Sequence, residues 1–513
     1  MNRRNLVTIS GMLVLALGLA RAQDQENAPS SDSPAPQQPV PAYGQENVPS
    51  TPITENPPLS GLDLPSLQEH AAPLSYLQPG ATVSESATTN IGNRLGATDI
   101  GSITRGLGTL ELRRLWSHYD LALDYMGGAA YYNRNAIGWR QLQDLGIGQR
   151  IEWKRGQLSL RDSFSYLPEG NFGGGYGSLG SVGIGNIGGI GSSLGGLSGG
   201  AGIGAFGLAP RILNVSLAEL SESLSPKSAI TVTGGYTFTH FYGKDFSGTS
   251  FIGSSQVSAQ AGYNRILTSH TQIAAVYGYQ GFDFSTIGAA FHAHIVQGLY
   301  GHRISGRMDF LLGAGPQITI FGLACTPLNV LAGDPRCTLG PGGVAVGTIP
   351  NTRIGVAAQA RLRYRLSKST LELSYQRFET SGNGLFAGAQ SDTVSFALAH
   401  PLSRVWNLSM DLGFAHNTRL QPLTAQQISG CSTLQSSQNA CPANDAVTYD
   451  DGYAGAALHR YFGREFHGFL SYQFSELLLD PSFCAAGTTC SRISNRHVLT
   501  FGLDWTPRPI RID

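Results

Sequence analysis

Charged residues recur in this chain at intervals of two. Arg361, Arg363 and Arg365 stand at alternate positions, with Gln359 leading them. In an extended strand alternate residues share a face, so the row would form a basic stripe. Such a stripe can attract anions, as charged rings do in pores. It can also pair with acidic neighbours on adjacent strands and solvate a wall, and this second expectation carries more weight. The same parity gathers Glu111, Arg113, Asp120, Asp124, Arg150, Glu152, Arg161, Glu372, Asp411 and Asp504, each on the face opposite the apolar residues of its segment. Together with Gln359 and the three arginines they are the candidate pore-lining residues.

Other chemistry is weakly signalled. His240, His292, His294, His416, His459 and His467 lie in or near alternating segments, and a Ser–His pair near a strand end would be enough for a hydrolase. No nucleophile elbow, metal-ligand spacing or acidic pair in a defined context supports one. The expectation is a protein that is not an enzyme, with no catalytic, cofactor or metal residues. Gly183-Ile184-Gly185-Asn186-Ile187-Gly188 matches the dinucleotide fingerprint formally, but no βαβ unit surrounds it. Six cysteines fall in three local pairs: Cys325 with Cys337, Cys431 with Cys441, Cys484 with Cys490. In an oxidising compartment these are expected to be disulfides closing loops.

The elements that must hold these residues are strands. Charged residues make up 13% of the chain, against roughly a quarter in soluble domains, with 66 Gly, 22 Phe, 20 Tyr and 5 Met. The net charge of +0 speaks against nucleic-acid partners. Tyr119, Leu121, Leu123 and Tyr125 alternate with Asp120, Ala122, Asp124 and Met126. Ile230, Val232, Tyr236 and Phe238 alternate with threonines and Gly235, and Trp406, Leu408, Met410, Leu412 and Phe414 with polar or small residues. Period two, near ten residues at a time and with aromatics toward the ends, predicts a transmembrane antiparallel up-and-down β-barrel. Walking the alternation from 75–90 to 494–505 gives about 18 strands, with 16–18 plausible. Short connections near 116–118, 154–156, 366–368, 401–403 and 462–464 alternate with long links near 132–142, 167–209, 241–253, 322–350, 418–446 and 479–493. All three cysteine pairs fall in long links.

The chain divides accordingly. Arg3, Arg4, the apolar run Leu6 to Leu19 and Ala20-Arg21-Ala22 predict a signal peptide over 1–22, cleaved near Ala22 by Sec-type export. Residues 23–74, rich in Pro, Gln and Ser, repeat Gln-Glu-Asn-x-Pro-Ser at Gln25 and Gln45 and read as a disordered periplasmic linker. The barrel spans 75–505, and 506–513 is a short tail. The segment 171–208 is nearly half Gly; composition favours a disordered external loop over a plug folded into the lumen.

Leu77-Gln78-Pro79-Gly80-Ala81-Thr82-Val83-Ser84-Glu85, Thr89-Asn90-Ile91-Gly92-Asn93 and Leu110-Glu111-Leu112-Arg113-Arg114-Leu115-Trp116 carry a resemblance. From Leu74 onward the chain resembles the β-barrel porin families of Gram-negative outer membranes. The resemblance implies an outer-membrane barrel and a pore. The leading expectation is a porin-like channel for passive diffusion of small hydrophilic solutes, without a cofactor. Its partners would be outer-membrane lipid, lipopolysaccharide and the barrel-assembly machinery, with homo-oligomerisation left open. A structural or surface barrel linked to exopolysaccharide export or adhesion is the alternative, and a barrel hydrolase the third reading.

Overall fold

The computed structural model describes residues 75–91, 95–133, 138–167, 211–242, 252–284, 289–324, 335, 337–340, 345–346, 348–366, 369–382, 386–420, 448–463, 465–481 and 491–512. The expected signal peptide, linker and Gly-rich segment lie outside them. Eighteen long strands build the fold. The first six are β1 (Tyr76–Thr89), β2 (Ile100–Leu115), β3 (Tyr119–Tyr132), β4 (Gly138–Trp153), β5 (Gly156–Leu167) and β6 (Arg211–Ser225). The next six are β7 (Ser228–Phe241), β8 (Ser254–Ile266), β9 (Thr271–Phe284), β10 (Ala289–Ser305), β11 (Met308–Ala324) and β12 (Thr348–Arg365). The last six are β13 (Thr370–Thr380), β14 (Ala389–Pro401), β15 (Trp406–Arg419), β16 (Thr448–Tyr461), β17 (Phe466–Leu479) and β18 (Ile493–Trp505).

Each strand pairs antiparallel with the next, and β18 pairs back onto β1 from Ala81↔Trp505 to Thr88↔Val498. The sheet is therefore a closed barrel without an edge to satisfy. No helix among the described residues is long and apolar enough to cross a membrane. Tight turns close one end: Trp116 N–H donates to Tyr119 O at 2.8 Å and Leu366 N–H to Ser369 O at 2.8 Å. The other end carries the links expected to be long, together with a two-residue ribbon pairing Thr338–Leu339 with Ala345–Val346.

Register fixes the two faces. Leu121, Leu123 and Tyr125 point out, as do Leu470, Tyr472 and Phe474 and then Leu499, Phe501 and Leu503, with most of the large ones substantially exposed. An apolar belt this continuous is costly against water, at roughly 25 cal/mol per Å², and suits lipid. Trp116, Tyr119, Trp153, Trp406, Phe466 and Trp505 ring its short-turn end, as interfacial aromatics do. Arg114 lies over Trp116 and Arg460 over Trp406, each at 5.1 Å, so charge meets aromatics there. Toward the other end the Tyr131 and Trp139 rings meet at 5.2 Å, tilted by 50°.

Two places depart from simple expectation. On β6 the faces are exchanged: Leu213, Val215 and Leu217 are inside and buried, whereas Asn214 and Ser216 are outside. The outer polar groups satisfy one another, with Ser216 Oγ 2.5 Å and Asn214 Nδ2 3.2 Å from Asp162 Oδ1 of β5. The segment 506–513 is also more than a loose tail. Ile510 and Arg511 pair with Leu77 and Tyr76, and Gln78 Nε2 donates to Pro507 O at 2.9 Å. Backbone groups left open below Ala81 on β1 recruit it.

Candidate functional site: the lumen and an inward-folded loop

The inner face carries the charges. On β2–β4, Arg113 lies 3.3 Å from Glu111 and 3.9 Å from Asp124, while Arg150 lies 3.7 Å from Asp120 and 3.0 Å from Glu152. Tyr76 on β1 donates to Glu111. Arg161 on β5 is in register with Gly148, one alternate position from Arg150. These seven candidates thus form one patch of wall.

A second patch lies on β11–β13. Arg363 pairs with Asp309 at 3.0 Å and is in register with Glu372. Arg361 is in register with Ser374 and Gln359 with Gln376, and Arg365 continues their parity opposite Thr370. In a ring of eighteen, β12 stands nine strands from β3, so this basic wall faces the wall bearing Asp120 and Asp124. Asp411 and Asp504 join neither patch. Asp411 sits opposite Ala397 and Gly455, and Asp504 accepts from Thr82 Oγ1 at 2.7 Å. Sequence reading passed over Asp144, Asp309 and Arg353, which share the inner face. Parity counted from Arg150 and Arg361 would have found Asp144 and Arg353.

The mouth at the loop end is narrowed by residues that sequence reading left unmarked. β13 stays paired with β12 only as far as Ala358↔Arg377, although β12 continues beside β11 to Thr348. Freed there, the β13–β14 hairpin leans across the inner face. Thr319 of β11 donates to Glu379, and Arg353 Nη2 of β12 donates to Gln390 Oε1 at 2.8 Å. Beyond Thr380, Gly382 and residues 386–388 lie inside the lumen. Phe386 is 1% exposed, 5.1 Å from the Tyr449 ring of β16, with Arg419 4.5 Å above its own ring. Ala387 packs against Phe282, Phe284, Phe291, Phe321 and Leu420. Contacts thus run from β9–β11 to β15–β16 through one short loop. Its backbone is held by Phe386 N–H to Gly382 O at 3.1 Å and Leu420 N–H to Gly388 O at 3.2 Å. Gly382 and Gly388 have φ of 74° and 90°, the left-handed region that favours glycine. Two glycines flanking Leu-Phe on the loop side were the available signal.

The histidines divide. His240, His292, His294 and His416 have the outward parity; His459 and His467 face in. Among the described residues no group of three or more His, Cys, Asp or Glu could hold a metal ion. Cys337 is buried and disulfide-bonded; the other five cysteines lie outside the described residues.

No family model matches this sequence, and no curated protein matches it. Several solved structures are similar to it in part. The ferric-catecholate import receptor Fiu from E. coli K12 has 9% identity and a TM-score of 0.40, over 84% of this chain and 81% of that one. OccK2 (OpdF) of Pseudomonas aeruginosa has 10% identity and a TM-score of 0.38, over 84% and 98%. OccAB1 of Acinetobacter baumannii has 8% and 0.39, over 84% and 96%. Identities near a tenth with scores this low transfer neither substrate nor mechanism. By its own register and closure, the chain is an 18-stranded antiparallel β-barrel, apolar outside and charged within.

Proposed function

We propose that the chain is an outer-membrane channel for passive diffusion of small hydrophilic solutes. The observation that carries this reading is the closure of eighteen strands into one ring, with an apolar outer belt and opposed charged walls inside. Barrels of this size characteristically enclose an aqueous path. The short turns and both chain termini of the barrel would face the periplasm and the long links the exterior. The proposal includes cleavage after Ala22, a linker over 23–74, insertion by the barrel-assembly machinery among lipid and lipopolysaccharide, and three loop-closing disulfides. Alkylation without reduction should then label no cysteine.

Single-channel recording of the refolded mature protein in a planar bilayer tests the channel. Stable ohmic steps are expected; silence from a folded, inserted protein overturns it.

The basic wall sets a second expectation. Arg363 offsets Asp309, so losing its charge exposes a carboxylate as well. The double variant Arg361→Gln, Arg363→Gln should shift permeability toward cations by about twofold or more, as lumenal charges do in pores. Reversal potentials in a salt gradient measure it, and an unchanged value removes the stripe from ion selection.

A further inference from the structure

The inner face of β2–β5 can be laid out from register as a grid. One row runs Arg113, Ala122, Gly148, Arg161; the row on its loop side runs Glu111, Asp124, Gly146, Ser163; the row on its turn side runs Leu115, Asp120, Arg150, Ser159. Charges of both signs therefore frame three central positions with almost no side chain. A shallow recess opens there, lined by Asp120, Asp124, Arg150 and Arg161 around Ala122 and Gly148.

The glycines are not demanded by packing. A Cβ on Gly148 would meet only the Ala122 Cβ, at 3.8 Å, and one on Gly146 only Asp124 atoms, at 3.8 Å and beyond. What they contribute is empty space. Two of the framing ion pairs are loose, at 3.7 Å for Arg150–Asp120 and 3.9 Å for Arg113–Asp124, against about 2.7–2.9 Å for a tight charge-assisted bond. Glu152 holds Arg150 at 3.0 Å and Glu111 holds Arg113 at 3.3 Å. A solute group can enter between Arg150 and Asp120 and leave the closer Arg150–Glu152 contact in place. Strand spacing of about 4.8 Å and about 6.8 Å per two residues puts Arg161 and Asp124 roughly 12 Å apart at Cα, a span suited to a molecule of a few heavy atoms.

We propose that this recess selects small zwitterions, solutes with one carboxylate and one ammonium such as α-amino acids. The carboxylate meets Arg150 and Arg161; the ammonium meets Asp120 and Asp124. A simple anion would face those aspartates and a simple cation those arginines, so neither gains as much. The inference rests on the channel reading and names its solute class.

Proteoliposomes bearing the mature protein separate the two. L-Alanine, lactate and lactamide are near in size and differ in charge. Alanine should enter fastest, by roughly threefold over lactamide, with saturable flux. Gly148→Leu should abolish that preference. Gly355→Leu is the size control, since Gly355 lies on the inner face of β12 with nothing within 4 Å of its Cβ position; it should narrow the lumen and keep the preference. Equal rates for alanine and lactamide through a protein that conducts KCl overturn the zwitterion site and leave the channel standing. Absence of KCl current overturns the channel, and calorimetric titration of L-alanine into the folded barrel in detergent then decides the recess alone. Heat that Gly148→Leu removes supports it; absence of heat overturns it.

Discussion

Valine in place of Gly388 should raise single-channel conductance by about twofold, by withdrawing the loop that crosses the mouth. Gly388 has φ of 90°, where a β-branched residue is strained by about 1–3 kcal/mol. The added Cβ would also fall 2.4 Å from the Phe291 ring and 3.3 Å from Leu420. Neither neighbour can retreat easily, because Phe291 is itself buried against Phe282, Phe284 and Phe321. The loop must therefore leave the cluster, giving up the Leu420 N–H bond to Gly388 O. Phe386→Ala reaches the same end by another route. Removing a ring that is 1% exposed costs the loop's anchoring about 3–5 kcal/mol. Both variants should show larger current steps in bilayers and earlier protease cleavage at the loop. Wild-type conductance from folded Gly388→Val would take the loop out of the permeation path.

The second large effect lies on the opposite face of the wall. Arginine at Leu499, midway along β18, should lower the unfolding free energy in lipid vesicles by about 2–4 kcal/mol, the cost of a lipid-facing charge near the midplane. Leu499 is 46% exposed and in register with Ala87 and Tyr472 on the outer surface. Glu85, one alternate position from Ala87 and already accepting from the Thr104 hydroxyl, is a carboxylate the guanidinium can reach, which sets the cost toward the lower end of that range. Urea titration followed by tryptophan fluorescence, with Leu499→Ala beside it, separates loss of leucine from gain of charge. If arginine and alanine cost the same, the outer belt does not face lipid.

Much of this architecture was legible because period two is a local signal. The strand now seen at Tyr76–Thr89 was expected over 75–90, and the last, Ile493–Trp505, over 494–505. The same parity places Glu111, Asp120 and Arg361 on the inner face without knowledge of their neighbours. Partners are another matter. Asp309 and Arg363 lie 54 positions apart and meet because β11 and β12 share a register that only the fold specifies. β6 shows a stronger limit. Leu213, Val215 and Leu217 alternate with polar residues as a lipid-facing strand would, yet the hydrogen-bonded register with Ser163 and Ser165 turns them inward. The glycines around Phe386 mark a turn, but the inward packing of that loop was not legible for a related reason. Its burial depends on aromatic residues from three other strands, and no window around Gly382 contains them.

The two ends of the chain that forms the barrel touch. Ile512 N–H donates to Ser75 O at 3.1 Å, beside the strands that close the ring. The Ser86–Thr500 contact in that seam spans 414 positions, so closing it carries a loop entropy of about 5 kcal/mol. Joining 512 to 75 through a short linker and opening the chain at Lys154 and Arg155 would preserve every strand neighbour. The former seam would become an ordinary hairpin, and β4 and β5 would be the last to meet. Which pair of strands closes the barrel is therefore a property of where the chain is cut, and the wall itself is indifferent to it.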